Sequence, residues 1–259
     1  MSNIQIFWKN QWDLNTILAS CEKANYPATN TQQRWRTHPW QVEVGISVWI
    51  RIYGLQIPCQ GVFIFNHNIS ATGIVKIQGS NTDFYNIDFE DVMTKGEDIH
   101  GNKILTYLPQ EKLTYHSWRI WIENEFNPYG FISMGRIWLG ECFEPQVGFS
   151  PKGEDEIQDP SMQFLSDGGQ KSVLIKKKYR TLKLPFDYIS PSEISEYQQF
   201  DNWVGKTKPF VILLKQRGYI GNDYPESGKN AAYVSLIKHK SDHLGGGAFK
   251  INLELEEER

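Results

Sequence analysis

The side chains in this sequence that could do chemistry are dispersed, and their spacing excludes most catalytic and metal-binding plans. His67 has Asn68 beside it, but no second His at ligand spacing, and the nearest acid, Asp83, falls on another turn. His67 is therefore expected to be a turn residue that ties its loop to the backbone. Asp83, Asp88, Glu90 and Asp91 offer the oxygen donors that calcium prefers, yet lack EF-hand spacing, and are expected to form a solvated acidic loop. Hydrolysis of a glycosidic bond needs two carboxylates about 5–10 Å apart, and nothing marks such a pair. GxSxG, P-loop, HExxH and dinucleotide patterns are absent. Gly245-Gly246-Gly247 lacks the strand-to-helix context of a phosphate loop and reads as a turn before a last strand. Cys21, Cys59 and Cys142 are odd in number and far apart, so buried free thiols are expected, with neither a disulfide framework nor zinc. No catalytic residue, cofactor or metal is expected.

Arginine beside tryptophan is the other chemically suggestive pattern. Arg36, Arg119 and Arg136 accompany Trp35, Trp118 and Trp138. Such pairs can hold a sugar, or can stack in a core while the guanidinium satisfies buried carbonyls. Each pair lies in a strand-like pattern, so all six residues are expected in the structural core. Lys176-Lys177-Lys178-Tyr179-Arg180 is a basic run read as a solvated strand end or an acidic-partner contact.

These residues must be positioned by strands. Val42, Val44, Ile46, Val48, Ile50 and Ile52 alternate with Glu43, Gly45, Ser47, Trp49, Arg51 and Tyr53, which predicts strands with one buried face, a turn near Gly45-Ile46-Ser47 and an end at Gly54. Further strands are expected at 62–65, 74–77, 118–122, 131–139, 173–175, 182–184, 210–214, 232–237 and 249–255. Short strands separated by Gly, Asn and Asp turns indicate a sandwich or jelly roll. One helix is predicted over 191–204: Ser190 as N-cap, Pro191 at N1 and Glu193 at N3 make a capping box, Ile194, Tyr197, Phe200 and Trp203 recur every three residues, and Gly205 stops it. Leu14, Ile17, Leu18 and Cys21 have a weaker helical spacing.

The fold class expected is mainly all-β. The 259 residues suit one large or two smaller domains, and residues 1–148 are read as a β-sandwich, 149–169 as a linker or crossing loop, and 170–259 as a second β-rich domain with the capped helix. A net charge of −3 argues against a wholesale nucleic-acid binder. No apolar run approaches the roughly 20 residues of a membrane span. The N-terminus lacks a basic-then-apolar export pattern, so synthesis in a cytoplasm is expected.

Five clusters occur in a characteristic order. Arg34-Trp35-Arg36-Thr37 precedes the alternating strand. His67-Asn68-Ile69-Ser70 follows it. Trp118-Arg119-Ile120-Trp121, then Asn127-Pro128-Tyr129-Gly130, then Gly135-Arg136 through Gly140 close the block. Over about residues 20–143 this order resembles the discoidin-like, coagulation-factor type C-like jelly rolls of phage and prophage tail proteins. Where many relatives carry Asp-Leu-Gly, this chain has Ile52-Tyr53-Gly54. The resemblance implies a non-enzymatic virion protein of the tail, made in the host cytoplasm, which assembles with copies of itself and docks to neighbouring tail proteins. The alternative it carries is an adhesin module for host surface glycan, with loop-tip contacts at His38, Trp40, Asn81, Asp83, Phe84 and Tyr85.

Overall fold

The alternation in the first half builds antiparallel strands, seen in a computed structural model that describes residues 4–45, 47–214 and 230–258. β1 (Ile4–Phe7) leads into one helical turn, α1 (Gln11–Leu14), where the Asn10 side chain accepts from the Trp12 N–H. The helically spaced Leu14, Ile17, Leu18 and Cys21 do not share a helix, because β2 (Thr16–Ala19) is extended. The alternating run then divides into β3 (Trp40–Glu43) and β4 (Val48–Cys59), with Ile46 of the expected turn outside the described residues. β4 continues through Gly54. Gln56 takes a φ of 54° and the register shifts opposite Tyr115–Ser117, so the strand bulges where the sequence suggested an end.

β5 (Gly61–Phe65), β6 (Ile74–Ser80), β7 (Phe89–Val92), β8 (Thr94–Glu97) and β9 (Lys103–Tyr107) follow. β10 (Leu113–Glu123), β11 (Phe131–Met134) and β12 (Ile137–Gly140) complete the set. One sheet has the order β2-β4-β10-β6-β7 and a second the order β12-β5-β9-β8. Their inner faces share a single core: Ile50, Ile52, Ile77, Trp118, Ile120 and Ile122 from the first meet Val62, Ile64, Leu105, Ile137 and Leu139 from the second. Trp118 packs edge-on against Tyr115 at 5.2 Å and its indole donates to the Ile57 carbonyl at 2.9 Å. The fold class is mainly all-β, and this part is a two-layer antiparallel sandwich.

The chain forms two compact units, one of Gln5–Phe143 with Phe210–Ala232, the other of Met1–Ile4, Glu144–Pro209 and Tyr233–Arg259. The stretch 149–169, expected as a linker or crossing loop, carries β13 (Glu154–Gln158) and β14 (Met162–Leu165). Its charge and glycine content hid these strands, which gain partners only from later sequence. β14 pairs with β15 (Lys171–Leu174) in a separate hairpin, and β13 pairs with β16 (Tyr179–Ile189). Arg180 of the basic run grips Asp155 across that pair at 2.5 Å, and Lys178 meets Asp159 at 3.2 Å.

α2 (Ile194–Val204) buries Tyr197, Phe200 and Val204. It starts three residues later than the capping box predicted, because residues 191–193 form turns. Half of the box is made: the Glu193 carboxylate accepts from the Ser190 N–H at 3.1 Å. β17 (Phe210–Leu214) lies beside β1, while β18 (Ala231–Gly245), β19 (Ala248–Glu257), β16 and β13 are neighbours in that order.

Candidate functional site

Of the six Arg and Trp residues expected in the core, four lie inside it and two do not. Arg36, Arg136, Trp118 and Trp138 are buried. Arg136 makes a bidentate pair with Asp13, at 2.7 and 2.5 Å, and Arg36 meets Asp98 at 3.5 Å. Trp35 is instead 54% exposed. It lies in irregular chain outside any strand, where alternation gives no guide to facing, and its ring meets His38 edge-on at 5.5 Å. Arg119 is only half-buried, on the outer face of β10, because it alternates with the core residues Trp118 and Ile120. Trp40, expected at a loop tip, differs in the opposite sense. It is fully buried in β3 and its indole donates to the Cys21 carbonyl at 3.2 Å.

The remaining loop-tip candidates do not converge. Asn81, Asp83, Phe84 and Tyr85 leave the C-terminal end of β6. Asp83 accepts from Arg51 at 2.9 Å, and Phe84 lies under the Arg119 guanidinium at 4.1 Å. His38 sits near Arg36, whose carbonyl accepts from Asn66 in the loop that enters the N-terminal end of β6. The two groups therefore occupy opposite ends of the sandwich. The acidic side chains also have protein partners: Asp88 accepts from the Asn81 N–H, Glu90 from Gln78 and Lys76, and Asp91 from the Val92 N–H. Among the described residues no group of three His, Cys, Asp or Glu could hold a metal ion.

The sequence clusters meet at the end that His38 occupies. Asn68 donates to the Phe131 carbonyl and accepts from the Ser133 N–H, both at 2.8 Å, and Asn127 donates to the Asn68 carbonyl at 3.0 Å. Gly135 lies where an added Cβ would come within 2.4 Å of the Arg36 carbonyl and 2.6 Å of that of Phe65, so no other residue fits. His67 accepts from the Ile69 N–H at 3.2 Å, which is the turn role expected, and burial lowers its pKa to about 4.

A groove of about 430 Å³ opens beside these loops, lined by Ser47, Thr72, Gly73, Ile74, Trp121, Glu123, Asn124, Glu125 and Phe126. Lys95 shapes one wall by donating to the carbonyls of Ser70, Ala71 and Gly73. Burial lowers the pKa of this lysine, with Lys103 adding to the shift. Trp121 donates to Glu123 at 3.1 Å, and Phe126 stands 83% exposed at the rim. Asn124 is only 3% exposed; its Oδ1 accepts from Ser70 at 2.6 Å, while its Nδ2 has no protein acceptor. A half-turn of the amide would exchange the orphan donor for an orphan acceptor, so one buried polar atom remains unpaired either way. Gly73 permits this arrangement, since a Cβ there would approach Asn124 Oδ1 to 2.6 Å. Sequence reasoning missed the groove because Ser47, Thr72 and Asn124 have no mutual spacing. Trp121, alternating outward from Trp118 and Ile120, was the legible signal.

No known family profile matches the sequence, and no curated protein matches it. Several solved structures are similar at low identity. The lectin domain of lectinolysin complexed with Lewis B antigen aligns at 9% identity over 48% of this chain and 91% of that one, with a TM-score of 0.38. A family 32 CBM from C. perfringens NanJ, in complex with galactose, aligns at 13% identity over 52% of this chain and 98% of its own, with a TM-score of 0.40. A Ruminococcus gnavus GH29 fucosidase aligns at 14% identity over 54% of this chain but 28% of its own, with a TM-score of 0.38.

Proposed function

We propose that this chain is a non-enzymatic carbohydrate-binding protein, and that the groove between the 70–73 loop and Trp121 takes the sugar. The observation that carries the reading is the Asn124 amide: a buried polar atom without a partner, in a groove that also presents an indole and an exposed phenyl ring. Leaving such a group unpaired costs about 1–3 kcal/mol, which a ligand hydroxyl would recover. Aromatic rings supply the apolar contact that a sugar ring needs, and a few placed polar groups fix its orientation. Calorimetric titration with a panel of oligosaccharides tests this. Trp121→Ala and Phe126→Ala should each weaken binding, whereas Tyr85→Ala at the opposite end should not. Binding that ignores Trp121 and Phe126, or no saccharide binding at millimolar concentration, would refute the site.

A second reading, self-assembly of the kind the tail-protein resemblance implies, is favoured by the β14–β15 hairpin. Every residue of both strands is exposed, including Phe164, Leu165, Val173 and Leu174, and Ile175 beyond them is 83% exposed. A two-stranded hairpin is marginal alone and presents open edges. A second copy would extend it and cover these side chains; virion placement and docking to tail neighbours belong to this reading. Sedimentation should show an oligomer that Leu165→Glu with Ile175→Glu disperses.

A further inference from the structure

The outer face of the larger sheet carries a second set of groups next to the groove. The register sets Trp49, Trp121 and Lys76 in one row, and Arg51, Arg119 and Gln78 in the next. Because side chains alternate across a strand, these six share the face opposite Ile50, Ile120 and Ile77. Most of the charges there are already matched. Arg51 holds Asp83 at 2.9 Å, and Lys76 lies 3.3 Å from Glu90 and 3.6 Å from Glu123.

Arg119 is the exception. Its Nε donates to Gln78 at 2.6 Å, and its guanidinium lies 4.1 Å from the Phe84 ring centre and 5.0 Å from that of Trp121. Among the described residues no carboxylate pairs with it, and its two terminal nitrogens have no protein acceptor. Two aromatic rings and Gln78 thus hold a planar fork in one orientation with its outer donors unused. Fixing the fork in advance removes the entropic cost that a free arginine pays on binding. Burial, and then the neighbouring Arg51, lower the pKa of Arg119, and Glu90 opposes that shift in part.

We infer that Arg119 is the anion-reading subsite of the groove, and that the ligand is a carboxylated saccharide whose carboxylate takes the guanidinium fork while its ring lies against Trp121. Trp121 is the link, since it lines the groove and also lies beneath Arg119. A carboxylate matches a two-pronged fork in geometry and charge. This inference rests on the carbohydrate-binding reading and adds its ligand class.

The test compares a carboxylated oligosaccharide, its carboxyl-reduced neutral counterpart and a sulfated oligosaccharide, each titrated into the intact chain. The native protein should bind the carboxylated form at least about ten-fold more tightly than the neutral form. Arg119→Lys keeps the charge but loses the fork; the ratio of carboxylated to neutral affinity should fall to near one. Equal native affinity for the carboxylated and neutral forms would overturn the subsite and leave the carbohydrate-binding reading intact. Equal affinity for the sulfated form, lost at high salt, would overturn carboxylate recognition in favour of general charge attraction. No binding of any of the three would overturn both. The native comparison needs no variant, so a folding defect in Arg119→Lys does not blunt the test.

Discussion

Asn127 donates its side-chain amide to the Asn68 carbonyl at 3.0 Å, joining two loops that lie 59 residues apart in sequence. Asn68 in turn uses its own amide on Phe131 and Ser133, so one short side chain holds the start of β11 against the 66–73 loop. Asn68→Ala leaves a backbone N–H and a carbonyl without these partners. The expected loss of stability is about 1–3 kcal/mol, read as a lowered midpoint in urea unfolding. The same variant should weaken saccharide binding, because the loop it anchors forms a wall of the groove.

Arg136 and Asp13 form a pair whose arginine is buried. Desolvation raises the pKa of Asp13 even though Arg136 opposes that shift; the acid stays partly open to solvent, and its main part is to balance the buried guanidinium. Removing the acid strands a buried cation. Asp13→Ala should cost about 3–5 kcal/mol, and Arg136→Met together with Asp13→Leu should cost less than Asp13→Ala alone. Thermal unfolding of the three variants checks the order.

Trp118 and Trp35 make a paired comparison. Trp118→Ala should cost about 3–5 kcal/mol, since it empties a fully buried position between the two sheets. Trp35→Ala should change stability by no more than about 0.5 kcal/mol, because the ring is largely in solvent. Equal losses in the two would contradict this placement.

His67 should make the sandwich sensitive to acid. Its pKa falls from 6.5 to about 4 on folding, so between those values the unfolded chain binds more protons than the native one. Its neutral form is favoured by burial; stability is full above about pH 6.5 and declines as pH falls through about 4, by roughly 3 kcal/mol in all. His67→Gln should flatten the dependence of unfolding free energy on pH across that window. An unchanged slope would show that other groups govern acid unfolding.

The sequence by itself determined the parts of this protein that depend on neighbours along the chain. Alternation at 48–52, 118–122 and 249–255 specified strands, because a strand needs only a period of two to show which face is buried. Ser190 and Glu193 marked a helix start to within three residues, since a cap is a local interaction. His67 was legible as a turn residue for the same reason.

Tertiary structure alone decided everything that depends on which strands pair. β13 and β14 were hidden because Glu154, Asp155 and Glu156 do not look like a strand until Lys183, Leu182 and Thr181 lie opposite them. Trp35 is exposed because facing outside a strand follows from packing, and Trp40 is buried because it opens β3 on the core face. The groove unites Ser47, Thr72 and Asn124 from three separate loops, and the open fork of Arg119 exists only because registry places Gln78 beside it while the 81–85 loop folds Phe84 beneath it. Periodicity along the chain reports burial; the partners that satisfy a buried or half-buried charge come from contacts distant in sequence, and those are fixed only when the sheets assemble.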